Sequence, residues 1–152
     1  RAKDLVIVRG SNHAPDEFEA CLEGMAGLRP GCAVALGFLP EGADEEQLLI
    51  LAERSRGGRV PTPAPSRGER EAELEERVRR AVLERTGVRA HTVRLLAPGT
   101  LPRTSSGKMR RGEALRRYLA GRLSPPGRAG PLALAWAAAR SALALARAPG
   151  RR

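Results

Sequence analysis

Apolar positions along the chain form short β-branched runs separated by helical stripes. Leu5-Val6-Ile7-Val8 is such a run, closed by Arg9-Gly10-Ser11-Asn12, and predicts a strand entering a turn. Pro15 then opens a predicted helix, with Asp16, Glu17 and Glu19 placed where carboxylates suit the positive end of the dipole. Phe18, Cys21, Leu22 and Met25 recur at helical spacing and form its core-facing stripe. Residues 32–38 and 47–53 predict two further strands, joined by an acidic turn around Pro40-Glu41-Gly42. Residues 54–70 are rich in Gly, Pro, Ser and Arg and read as a surface loop. The clearest helix is 71–86: Leu74, Val78, Ala81 and Val82 share one face, and Gly87 stands where a C′ residue belongs. Residues 93–96 read as a strand and 98–109 as a turn-rich loop. A helix carrying Leu115, Tyr118, Leu119 and Leu123 follows, and Pro125-Pro126-Gly127 ends the compact part. Three to four short strands with three helices, out of strict βαβ alternation, indicate a small α+β domain: a short β-sheet flanked by about three helices. The Ala/Leu-rich stretch 131–147 adds a weakly amphipathic helical tail, read as a peripheral helix or linker rather than a membrane anchor.

A length of 152 residues with 41% apolar content suits one compact domain with a tail. Aromatics make up only 3%, which argues against nucleic-acid modules that stack bases on aromatic platforms. Cys21 and Cys32 form no CxxC pair, and with only His13 and His91 beside them no structural zinc or other metal site is expected. They read as reduced, buried thiols of a cytoplasmic protein. No leader is expected, and no run of about 18 uncharged apolar residues offers a membrane span.

The net charge of +10 is unevenly placed. Residues 1–100 carry 15 basic and 16 acidic groups, whereas residues 101–120 set Arg103, Lys108, Arg110, Arg111, Arg116 and Arg117 against Glu113 alone. Residues 121–152 add six arginines and no acid. Only Lys3 and Lys108 are lysines among the 27 basic residues. Under that bias, a lysine either marks a place where a compact ammonium serves and a planar guanidinium does not, or stands there by chance.

Lys108 closes the segment Gly99-Thr100-Leu101-Pro102-Arg103-Thr104-Ser105-Ser106-Gly107-Lys108. Small and hydroxylated residues let the backbone approach a polyanion, and the lysine supplies a mobile point charge. It is not a Walker A loop: seven residues rather than four separate the glycines, and Met109 follows the lysine. From composition alone, an ordinary basic surface loop is the better explanation.

The whole motif, with Arg110 and Arg111 after it, resembles the catalytic-lysine loop of the adenylate-forming acyl and aryl ligases. Residues 1–10, from Arg1-Ala2-Lys3-Asp4 to Arg9-Gly10, resemble the hinge segment of the same superfamily, in the same order and at about the same spacing. The closest similarity is to the fatty acyl-AMP ligases that supply polyketide and lipopeptide pathways. Their hinge continues as an Arg-Gly-x-Asn-x-Tyr-Pro sequence before an acidic helix, followed here from Arg9 to Glu19 with Ala14 where tyrosine is usual. Arg29-Pro30-Gly31-Cys32 and Ala97-Pro98-Gly99-Thr100 also look like this subfamily.

The resemblance implies a C-terminal, mobile ligase domain over residues 1–123, with the hinge at 1–10 and the catalytic loop at 99–111, followed by a linker and tail over 124–152. It implies activation of a fatty acid by ATP, with Mg2+ held mainly by a large N-terminal domain, to acyl-AMP and pyrophosphate. The acyl group then passes to a thiol, most simply that of an acyl carrier protein. Lys108 would lie between the acyl carboxylate and the α-phosphate. Arg1 would contact the nucleotide, and Lys3 with Asp4 would form the hinge. Arg9, Gly10 and Asn12 would border the acceptor tunnel, although a plain turn glycine accounts for Gly10 as well. His13 reads as a turn residue and His91 as a surface one. A chain that begins at the hinge is expected to be inactive without the N-terminal domain. The same domain of an acyl-CoA synthetase or of a nonribosomal peptide adenylation domain is the near alternative. A basic module holding nucleic acid through its phosphates is the alternative of another class, disfavoured by the near-neutral first 100 residues.

Overall fold

The computed structural model describes residues 5–56 and 67–124. Arg1, Lys3 and Asp4 of the expected hinge, the middle of the expected loop 54–70, and the tail beyond Ser124 lie outside the described residues. Two small sheets and three helices make up the rest, the α+β arrangement that the hydrophobic pattern indicates.

Strands β1 (Val6–Val8) and β2 (Ser11–His13) pair antiparallel, with Val8 opposite Ser11. The turn between them is therefore only Arg9 and Gly10, whose φ angles are +51° and +76°. Positive φ at both central residues matches the twist of a tight hairpin, and at a non-glycine such as Arg9 it costs roughly 1–2 kcal/mol. The expected turn 9–12 is thus two residues shorter, because the hairpin recruits Ser11 and Asn12 as strand.

Helix α1 (Pro15–Ala20) starts at the predicted proline but ends before its apolar stripe does. Cys21, Leu22 and Met25 sit on successive tight turns, with their N–H groups donating to the carbonyls of Phe18, Glu19 and Leu22. Gly24, at φ +72°, takes a conformation that a helix cannot continue through. The stripe still packs as a unit: Phe18, Cys21 and Leu22 are buried, and Met25 leans on the same core.

Strands β3 (Leu28–Phe38), β4 (Gln47–Arg54) and β5 (Thr92–Leu96) form the second sheet, with β4 in the centre. β3 runs antiparallel to β4, and β5 runs parallel to it after the crossover helix α2 (Arg67–Thr86). β3 begins four residues earlier than the apolar run predicts. Leu28 opposes Arg54 and Ala33 opposes Ala52, so extra β3 residues bulge out between these pairs. That bulge is Arg29-Pro30-Gly31-Cys32, where proline has no N–H to give the ladder and Gly31 takes φ +61°. α2 also begins earlier than expected, at Arg67, and ends as predicted at Gly87, whose N–H reaches the Leu83 carbonyl.

Alternation along β4 feeds two cores. Leu48, Ile50 and Ala52 meet α1, α2 and the β1–β2 hairpin, with Val78 and Val82 as the α2 contribution. Leu49 and Leu51 face the other way, onto Leu101 and onto Ala114 of α3 (Arg111–Leu119). Leu115 and Tyr118 of α3 pack against this second core, and Leu123 joins them from beyond the helix end. Leu119, predicted on the same face, is 62% exposed.

Ile50, fully buried in the central strand, is the side chain that the fold should miss most. Ile50→Ala is expected to destabilise the domain by about 2–5 kcal/mol, measured by urea unfolding.

Candidate functional site

The lysine loop is a small hairpin standing on the second core. Thr100, Leu101 and Pro102 at its base are buried, and the Thr100 hydroxyl donates to the Ala97 carbonyl. Arg103 and Met109 form a single antiparallel bridge, and the Arg110 N–H donates to the Pro102 carbonyl. At the tip, Thr104 grips Lys108 from both sides. Its N–H donates to the Lys108 carbonyl at 2.8 Å, and its Oγ1 accepts the Lys108 N–H at 3.0 Å. Gly107, at φ +84°, closes the turn by donating to the Thr104 carbonyl.

The side chain of Lys108 is exposed and enters no ion pair among the described residues. Its backbone is fixed and its ammonium is free, which suits a cation that must meet an outside anion.

Two side chains tie this hairpin to the sheet. Arg103 donates to the carbonyls of Gly107 and Gly31 and to Cys32 Sγ, and so joins the loop to the β3 bulge. Glu53, at the end of β4, is fully buried. Its Oε1 accepts the Leu101 N–H at 2.8 Å, and its Oε2 meets Arg29 Nη1 at 3.0 Å. The sequence alone singles out none of Arg103, Thr104, Arg29 and Glu53 for a role of its own. One signal was available for Glu53, an acid closing the otherwise apolar run 48–52.

Beyond the hairpin, Arg111 donates to Glu19 and Asp16, pinning the start of α3 to α1. Its hydrogen bonds to Glu19 raise the Arg111 pKa beyond its ordinary value. Arg110, Arg116 and Arg117 gather on Glu113, whose carboxyl is lowered chiefly by the hydrogen bond from Arg117. Burial pushes both thiols up, and Cys21 and Cys32 are free. Among the described residues no group of three or more His, Cys, Asp or Glu could hold a metal ion.

No family model matches the chain. It is 35% identical over 118 residues to the long-chain-fatty-acid–AMP ligase FadD23 of Mycobacterium tuberculosis, a match covering 78% of this chain and 18% of that protein. It is 31% identical over 118 residues to the nonribosomal peptide synthetase apvA of Aspergillus terreus, covering 78% of this chain and 12% of that one. A solved structure from work on fatty acyl-adenylate ligases of E. coli and L. pneumophila superposes with a TM-score of 0.58 at 30% identity, over 80% of this chain and 19% of that one. The chain is related to the C-terminal region of the fatty acyl-AMP ligases. It spans about a fifth of the length of the curated ligases it matches.

Of the other expected site residues, Arg9, Gly10 and Asn12 fall on the β1–β2 hairpin, and Arg1, Lys3 and Asp4 lie outside the described residues. Arg9 lines a polar cleft of about 430 Å3 together with His13, Glu45, Glu46, Arg79, Arg89 and His91. Gly10 and Asn12 are exposed and do not line that cleft. A Cβ on Gly10 would meet nothing within 4 Å, so its left-handed backbone is what demands glycine in this structure. His13 pairs with Glu17 at 3.5 Å and stacks obliquely on Phe18. His91 is exposed.

Arg103→Met should remove about 1.5–3 kcal/mol of local stability from the lysine hairpin. Trypsin should then cleave after Lys108 roughly tenfold faster or more, with Arg103→Lys recovering little because an ammonium lacks the planar fork.

Proposed function

We propose that this chain is the catalytic-lysine domain of an ATP-dependent fatty acid–AMP ligase. The observation that carries the reading is the Lys108 hairpin: a backbone held at both its N–H and its carbonyl by Thr104, presenting an ammonium with no ion-pair partner among the described residues. In the reaction, a substrate carboxylate oxygen attacks the α-phosphorus of ATP, the acyl–phosphate bond forms, and pyrophosphate leaves. Two anions must approach each other. An ammonium at Lys108 lowers that repulsion and stabilises charge developing on the α-phosphoryl oxygens. The acyl group then passes to a thiol, with AMP leaving.

The acceptor in this reading is an acyl carrier protein, whose acidic surface would suit the basic loop and α3. Arg9, Gly10 and Asn12 would face that acceptor after the domain swings about Lys3 and Asp4, and Arg1 would contact the nucleotide. The Mg2+ that accompanies ATP is assigned no ligand among the described residues. Free, buried Cys21 and Cys32 fit a reducing cytoplasm. No helix of the described residues is long and apolar enough to cross a membrane. The reading as a nucleic-acid module is weakened by the near-neutral balance of residues 1–100 and by an aromatic content of only 3%.

In the complete enzyme, Lys108→Ala is expected to lower adenylation by roughly 10²–10³ or more while largely sparing transfer from preformed acyl-AMP. Equal loss of both half-reactions would sink the assigned role. The 152-residue chain alone should show no fatty acid-dependent exchange of labelled pyrophosphate into ATP, and measurable exchange would contradict the need for a second domain.

A further inference from the structure

Glu53 is a carboxylate where the fold otherwise places hydrocarbon. Side chains alternate along β4, so Glu53 shares a face with Leu49 and Leu51, over the second core. A buried charge there needs both a partner of opposite sign and hydrogen bonds to its lone pairs. Glu53 has one of each, divided between its oxygens: Arg29 on Oε2 and the Leu101 N–H on Oε1. Neither contact serves the β4 ladder. Arg29 comes from the β3 bulge, and Leu101 is the first residue of the lysine hairpin.

We propose that Glu53 is a positioning residue for adenylation, fixing the base of the hairpin that carries Lys108. This rests on the function proposed for Lys108. The path is short and covalently tight. Glu53 sets the Leu101 amide, the next residue's carbonyl receives the Arg110 N–H, and the bridge from Arg103 to Met109 aligns the two arms. Arg103 braces the same arms against Gly31, on the bulge that also supplies Arg29. The charge makes the contact directional. A carboxylate oxygen holds an amide hydrogen more strongly than a neutral acceptor would, so the hairpin base gains a fixed angle as well as a covered surface. A leucine there would give the same burial and leave the Leu101 N–H without a partner in the core.

The test compares Glu53→Met, Glu53→Gln and Lys108→Ala in the complete enzyme, measuring both half-reactions and amide hydrogen exchange. Glu53→Met keeps length and burial but accepts no amide. It should speed exchange across residues 101–109 while β4 and β5 stay protected. Adenylation kcat should fall by about 10–100-fold, the range a misplacement near 1 Å produces, with KM for the acid and the transfer step nearly unchanged. Glu53→Gln keeps an acceptor for Leu101 and loses the pair with Arg29, so its kcat should fall between the two. If Glu53→Met proves too unstable to assay, Glu53→Gln decides: a lowered adenylation kcat with normal transfer supports the role, and a wild-type kcat overturns it. An enzyme inactivated by Lys108→Ala yet unaffected by Glu53→Met overturns this inference alone. One in which Lys108→Ala adenylates normally overturns the function on which it rests.

Discussion

Because β4 is apolar on both faces, it must be covered twice, and that requirement organises the rest of the domain. One face is closed by α1, α2 and the small hairpin, which together bury Phe18, Val78 and Val82 against Leu48 and Ile50. Among the described residues, the other face has only α3 and the segments flanking it, so the segment leading into α3 is not an ordinary surface connection. Leu101 and Pro102 are drawn inward to complete the second core. The lysine loop is therefore mounted on packed hydrocarbon at its base and reaches solvent only at its tip. Burial of that base is worth roughly 1.5–3 kcal/mol per large apolar side chain, enough to keep a short hairpin in one place.

A base buried in this way brings backbone polar groups with it, and each needs a partner. The Leu101 amide is the clearest case, since it lies over the end of β4 where no strand continues. Glu53 answers it, and Arg29 answers Glu53. The β3 bulge gains a purpose from the same chain of needs. Without its extra residues, β3 would pair with β4 in unbroken register. The bulge instead breaks that register and offers the Gly31 carbonyl to Arg103.

How much of this the sequence revealed follows the same physics. The core-facing stripes, the central strand and the Gly87 stop were legible because burial and helix capping leave periodic or local marks. The two-residue hairpin turn was hidden because Arg9 in a left-handed conformation has no local signature; Ser11 and Asn12 look like turn residues and become strand through pairing. The bulge was hidden because Arg29-Pro30-Gly31 interrupts an apolar run, and only the partner strand shows that pairing resumes at Leu28. Leu119 fits the helical period of α3, but a helix packed at one edge of a core covers a narrower arc than the period suggests. Lys108 stood out through its motif. Glu53 did not, because a strand-ending acid is ordinarily a solvated one, and its burial depends on a loop 48 residues away.

The distribution of cations closes the argument. All five arginines of residues 101–120 are engaged: Arg103 on two carbonyls and a sulfur of the loop and bulge, Arg111 on α1, and the other three on Glu113. A guanidinium suits this work because its planar fork can satisfy several acceptors at fixed angles. The same property would make it a poor choice at the hairpin tip, where nearby carbonyls and carboxylates would capture it. An ammonium on a flexible stem makes fewer such commitments, and Lys108 makes none within the described residues. The excess charge of this segment therefore divides by chemistry: guanidinium groups hold the frame, and the single ammonium is left over for an incoming anion.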